Sequence, residues 1–329
     1  MTFKTNKIGN SDVDVTEISF GCSSIANIAD ILTDEDSMSL LEAAWQHGIR
    51  YFDTAPHYGR GRSETRLGQF LVTKAQNEYK ISTKVGRVLT PGKKLDFAQG
   101  FHDPLPNDVH FDYSAEGIEQ CLKGNRERLG VEYIDIIFVH DIGVVTHGAD
   151  NAKHFKDLME SGLPYLKKLK DEGKIGAYGL GVNENEVCVD VMKQAQIDVI
   201  LLAGRLTIMD RTSEKELLPL CEEMGTSIVI GGVFNSGILA TGAKDGAQFN
   251  YADASDEVKA KVNKIEEHVQ SVGATMPTAA MHFATQHPLV SSLLIGTGKQ
   301  SSLTRNINAL NEDVDPKAWT DVPHEALIF

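Results

Sequence analysis

The chain has 329 residues, 41% hydrophobic and 24% charged, which is ample apolar material for one large core and an ordinary balance for a globular protein. Its net charge of -14 argues against nucleic acid and anionic membrane surfaces, both of which select Lys and Arg. No apolar run approaches the roughly 20 residues that span a bilayer, and the N-terminus lacks an apolar signal core, so a cytoplasmic protein is expected.

In chain order, the first short apolar run is EISFGC (17–22). A helical segment follows at 34–48, with Met38, Leu41 and Trp45 on one face, acidic residues in the first turn and Gly48 at its end. Runs at 49–53, 79–85, 134–140, 175–182, 197–204, 226–233 and 290–297 share the short, buried character of the first. Helical spacing fills 63–71, 114–130, 163–173, 186–196, 215–225 and 302–310. The acidic run DASDE (253–257) starts a helix in solvent, and 271–288 reads as an additional helical stretch before the last strand. Two long irregular stretches, 89–114 and 142–157, follow the third and fourth runs, and the first of them reads as an active-site lid. Eight nearly continuous apolar strands, each followed by helix, predict a closed parallel (β/α)8 TIM barrel, one α/β domain over residues 1–329. The rival open sheet carries a Gly-rich fingerprint after its first strand, which GCSSIAN (21–27) does not fit.

Four residues with proton-handling chemistry fall where strands meet loops. Asp53 and Tyr58 lie in YFDTAPHYG (51–59), Lys84 near the end of YKISTKV (79–85), and His140 ends IDIIFVH (134–140). A barrel gathers all four on one rim. A phenol titrates at about 10 and handles protons poorly at neutral pH unless its anion is stabilised. Lys84 is placed to supply that stabilisation, Asp53 to keep the buried ammonium charged, and His140 to direct a hydrogen bond at a carbonyl or hydroxyl oxygen. Such a device invites a hydride partner. Cys22 either borders the pocket or is a packed core thiol. His57 either lines the pocket or is solvated, and Asp141, beside His140, is expected to line the substrate pocket. A metal site built from His57, His140 and Asp141 lacks supporting spacing, and Lys84 would repel the cation. Cys22, Cys121, Cys188 and Cys221 form no C-x-x-C pair and are expected to be reduced.

With FDTAPHYGRGRSETRLG (52–68), STK (82–84) and the Asp135 to His140 strand in place, the chain resembles the aldo-keto reductase superfamily over essentially its whole length. The resemblance implies a catalytic tetrad of Asp53, Tyr58, Lys84 and His140, an N-terminal β-hairpin, long active-site loops and a nicotinamide cofactor bound without a Rossmann fold. DPLP (103–106), LLAGRLTIMD (201–210) and GGVFNSGIL (231–239) are most similar to the aldose 1-dehydrogenases and pyridoxal 4-dehydrogenase. That implies hydride transfer from a cyclic hemiacetal, of pyridoxal or of an aldose such as L-fucose, D-arabinose or L-galactose, to give a lactone. Many members carry Ser-Asn after the fifth strand. Here Gly181-Val182 aligns, and Asn183 is the carboxamide candidate. The usual Tyr after the seventh strand aligns near Gly231, leaving Phe234 as its substitute, with Asn235 and Gly237 beside it. Phosphate contacts are implied for Gly296, Thr297, Gly298, Lys299 and Arg305, and an adenine contact for Asn306. Small residues near Lys299 favour NAD, while Arg305 leaves NADP open. An NADPH-dependent aldehyde or ketone reductase and a non-catalytic nicotinamide-sensing subunit are the alternatives. The partner expected is a small-molecule substrate, with no nucleic acid and no membrane, and the sequence leaves the oligomeric state open.

Overall fold

The computed structural model describes residues 2–28 and 30–329. Eight parallel strands close into a barrel: β1 (Ile18–Gly21), β2 (Tyr51–Asp53), β3 (Lys80–Val85), β4 (Ile134–His140), β5 (Ile175–Val182), β6 (Val199–Ala203), β7 (Ser227–Gly231) and β8 (Val290–Ile295). Each pairs with its successor in sequence, and β8 pairs with β1. β4 is buried at every position, which is why its sequence is nearly continuous in apolar residues rather than alternating. All eight strands lie within the runs read from the sequence.

Residues Thr5–Lys7 and Asp14–Thr16 pair as the expected antiparallel hairpin. The hairpin places Ile8, Val13 and Val15 against Tyr51, Ile136, Phe138 and Val199 in the barrel interior. This apolar plug leaves the opposite rim, where the strands end, to carry the polar chemistry.

The outer helices are α1 (Asp34–Gln46), α2 (Arg62–Leu71), α3 (Ala115–Leu129), α4 (Leu163–Asp171), α5 (Glu186–Met192), α6 (Leu217–Met224), α7 (Asp256–Ser271), α8 (Met276–Gln286) and α9 (Gln300–Leu310). Their ends follow local chemistry. Thr33 and Asp36 form a reciprocal capping box at α1, and Ser114 caps α3, whose other end is a left-handed Gly130. The buried face of α1 is Ser37, Leu40, Leu41 and Ala44. Met38 and Trp45 flank it, half-buried, and the Trp45 ring lies under the Arg50 guanidinium at 3.8 Å.

Two sequence expectations change. The stretch 89–114 is largely an antiparallel ribbon, Arg87–Pro91 against Asn107–Phe111, with a small hairpin of Phe97–Ala98 and Phe101–His102 at its tip. Residues 142–157 contain the helices Val144–His147 and Asn151–Asp157, and the second continues through a π-helical turn, Leu158–Gly162, into α4. The additional helical stretch read in 271–288 is α8, capped by Thr275 after Ser271 ends α7 and Gly273 turns the chain at φ 80. No helix among the described residues is long and apolar enough to cross a membrane.

Candidate active site

β2 and β3 lie side by side and end in the same buried cluster. Lys84, 2% exposed, donates through Nζ to Asp53 Oδ2 at 2.6 Å and to the Thr54 carbonyl at 2.9 Å. The other oxygen of Asp53 accepts from Ser82 Oγ at 2.7 Å, and Ser82 in turn accepts from the Tyr51 hydroxyl at 2.9 Å. Beyond Lys84 lies Tyr58, its ring centroid 4.8 Å from Nζ. The phenol is set there by a left-handed run through Gly59, Arg60 and Gly61, with φ of 60, 54 and 101. A side chain at Gly59 would stand 3.0 Å from the Ala26 carbonyl, so the YGRG sequence needs its glycine. His140, at the end of β4, meets Tyr58 edge-on, with centroids 5.9 Å apart. His57 packs against His140 at 5.8 Å and against Phe101 of the ribbon at 5.6 Å. The structure therefore brings Asp53, Tyr58, Lys84, His140 and His57 together on one rim.

Burial sets the charge states. It disfavours the Lys84 ammonium, but Asp53 and Tyr58 outweigh it, and the pKa of Lys84 is raised. Burial pushes the Tyr58 phenol up to about 12 despite the opposing pull of Lys84. His140 is held well below the usual imidazole range, first by burial and then by Arg87 and Lys84. Burial together with Arg87 and Arg60 takes His57 to about 3. Both imidazoles are therefore neutral and each carries a single N–H. The cluster combines a protonated phenol, a fixed cation and neutral donors, which suits moving one proton to or from an oxygen on carbon.

Several partners of this cluster escaped the sequence reading. Arg87 is buried and pairs with the carboxylate of Asp141, whose Oδ2 also lies 3.3 Å from His140 Nε2. Arg87 follows the Lys84 strand by only two residues, past Gly86 at φ 97, and that proximity was the available signal. Tyr113 donates to the His140 carbonyl at 2.8 Å, and its hydroxyl lies 2.8 Å from His147 Nε2. Glu64, wholly buried, accepts from Thr83 Oγ1 at 2.6 Å and Arg128 Nε at 2.7 Å, tying α2 and α3 to β3. Cys22 is a correction: it is wholly buried in the core, its thiol 3.8 Å from the Phe20 carbonyl, and presents no surface to a pocket.

The remaining rim loops divide into used and free groups. The Asn235 side chain is buried, donating to the Gly204 carbonyl at 3.0 Å and accepting from Thr207 at 2.6 Å, so it clamps the loops after β6 and β7. Phe234 is half-buried and packed on the core, and Gly237 turns the chain at φ 96. The Asn183 carbonyl accepts from Arg205 at 2.8 Å, while its side-chain amide makes no hydrogen bond among the described residues. Gly296, Thr297, Gly298 and Lys299 line a cavity of about 280 Å³ with Ser23 and Ser24. A Cβ at Gly298 would meet nothing within 4 Å. Arg305 and Asn306 line a second, about 630 Å³ in volume, and the Arg305 guanidinium is engaged only by Ser302 at 3.2 Å among the described residues. Backbone without side chains, the N-terminus of α9, Lys299 and Arg305 fit an anionic nucleotide.

A sequence profile of the aldo/keto reductase family matches residues 17–323, and the chain belongs to that family. It is an oxidoreductase acting between CH–OH and carbonyl groups, and its family uses nicotinamide nucleotides. The chain is 37% identical to the pyridoxal 4-dehydrogenase of Microbacterium luteolum, covering 98% of this chain and 97% of the relative. It is 34% identical to a D-threo-aldose 1-dehydrogenase from a Pseudomonas species, covering 95% of each. Among solved structures, the holo form of an aldo-keto reductase from Bacillus halodurans superposes with a TM-score of 0.75 at 23% identity, covering 99% of this chain and 98% of that one; this likeness bears on the fold alone.

Proposed function

We propose that the protein oxidises a cyclic hemiacetal to a lactone with NAD. The observation that carries this reading is the buried Lys84, held by Asp53 at 2.6 Å with the Tyr58 ring at 4.8 Å and the neutral His140 facing the same phenol. His140 orients the hemiacetal hydroxyl, and Tyr58, as the anion stabilised by Lys84, takes its proton. The nicotinamide, when bound, accepts the hydride from the same carbon. Asn183 holds the carboxamide, and the 296–299 loop with the start of α9 holds the phosphates. The names of the two relatives above 30% identity, one acting on pyridoxal and one on aldoses, support a hemiacetal substrate. The 296–299 loop offers small residues and Lys299 as its one cation, which supports NAD.

One observation favours the reverse reaction. A phenol pushed up to about 12 is protonated at neutral pH and is then a donor, as reduction of an aldehyde with NADPH requires. The deciding experiment follows the absorbance of reduced nicotinamide with NAD or NADP supplied separately against pyridoxal, L-fucose, D-arabinose and L-galactose. Reduction of NAD with one of these is the expected result. Silence with all four, together with NADPH consumption on simple aldehydes, overturns the reading.

A further inference from the structure

Asp141 has a backbone that few aspartates adopt, with φ of 47 directly after His140. Such conformations persist where the surroundings enforce them, and they concentrate at functional sites. Its amide donates to the Gly181 carbonyl at 2.9 Å, which pins the turn between β4 and β5. The carboxylate is divided unequally. Oδ2 is taken by Arg87 and lies 3.3 Å from His140 Nε2. Oδ1 has no hydrogen-bond partner among the described residues, on a side chain that keeps 17% of its surface exposed. Around this accessible oxygen, Arg87 Nε, His57 Nδ1 and His140 Nδ1 are buried without a hydrogen-bond partner among the described residues.

Asp141 Oδ1 is the acceptor left open to a substrate. In an aldose the carbon next to the reacting one bears a hydroxyl that can donate to it, whereas the corresponding ring carbon of pyridoxal bears none. Starting from the hemiacetal reading above, on which it rests, we infer that Asp141, braced by Arg87, accepts a hydrogen bond from the hydroxyl on the carbon next to the reacting one. Asp141 and Arg87 thereby select an aldose. His140 and Asp141 are adjacent in sequence and their side chains converge, so one substrate can meet both. His140 then donates to the oxygen at the anomeric carbon while Asp141 Oδ1 accepts from the hydroxyl at C2. Burial raises the Asp141 carboxyl and Arg87 opposes that rise while holding the carboxylate in place, so the role of Arg87 is positioning.

The test compares L-fucose and L-galactose with their 2-deoxy analogues, with pyridoxal alongside, in the wild type, in Asp141→Ala and in the double variant Arg87→Met/Asp141→Ala. The double variant avoids leaving a buried guanidinium unpaired and guards against a variant that fails to fold. A hydrogen bond to a charged group implies that the wild type prefers the 2-hydroxy sugar by about 10- to 100-fold in kcat/KM. Both variants should lose that preference, to within about threefold by the same reasoning. A preference kept in the folded double variant, or no preference in the wild type, overturns the assignment. Turnover of pyridoxal with no aldose oxidised overturns it too, while leaving the hemiacetal reading standing. Silence with every hemiacetal removes both.

Discussion

The hydroxyl of Ser82 donates to one oxygen of Asp53 at 2.7 Å while the ammonium of Lys84 occupies the other at 2.6 Å. Ser82 thereby settles the lone pairs that the ion pair leaves over, which a buried carboxylate requires. Ser82→Ala should cost about 1–3 kcal/mol of stability, as an acceptor loses its partner in the interior. It should also slow turnover, because a less firmly held carboxylate fixes Lys84 less well under Tyr58. Chemical denaturation and a pH–rate profile read the two effects separately, and wild-type values in both would show Ser82 to be a bystander.

Tyr58→Phe removes one oxygen from the phenol and leaves its ring packing in place. Turnover should fall by about 100- to 10,000-fold, the usual contribution of a positioned proton-transfer group, with nucleotide affinity unchanged by fluorescence titration. Retained activity sinks the proton path assigned to Tyr58. In the unaltered protein, oxidation needs the tyrosinate, and the phenol is pushed up to about 12. The rate of oxidation should therefore climb about tenfold per pH unit through the mildly alkaline range, while reduction, which uses the protonated phenol, stays level there.

The barrel was legible because strands buried on both faces leave continuous apolar runs, and β4 shows it at all seven positions. Asp53, Tyr58, Lys84 and His140 were legible because each stands in or just past such a run. Arg87 and its pairing with Asp141 were not, since the pair joins a ribbon edge to a strand end 54 residues away and nothing local in GRVLT announces it. The ribbon itself was hidden by Pro and Gly, which read as loop although Arg87–Pro91 and Asn107–Phe111 keep full pairing between them. The clamp made by Asn235, which bonds Gly204 and Thr207 across two rim loops, was hidden for a related reason, since it is a tertiary contact that spacing does not reveal.

Acid should destabilise the protein well before its carboxylates titrate. His57 is lowered from 6.5 to about 3 and His147 to about 4, both chiefly by burial, and His140 lies well below its ordinary value. Each folded-state value is depressed, so below pH 6.5 the unfolded chain binds protons that the fold refuses. Stability is therefore fully present above 6.5 and drains as pH falls toward the folded values, by up to about 1.4 kcal/mol per pH unit for each fully buried group. The partly solvated His147 contributes less. Melting curves at pH 7 and pH 5 should show a clear loss, and His57→Phe should flatten it. A midpoint that does not move between those two pH values would contradict the buried neutral imidazoles.

Close approach of β5 to β6 sets the last expectation. Gly179 pairs with Val199 across that seam, and a Cβ on Gly179 would fall 1.6 Å from the Val199 carbonyl oxygen. The obstacle is backbone inside a closed barrel, so neither a rotamer change nor a side-chain shift relieves it, and the strands must separate or the ladder must break. Gly179→Ala should cost at least about 3 kcal/mol, at the upper end of overpacking effects, or leave no soluble protein. Gly298→Ala is the matched control, since a Cβ there meets nothing within 4 Å, and its unfolding midpoint should equal that of the wild type. Equal stability of the two variants would mean that the β5–β6 seam is looser than its register implies.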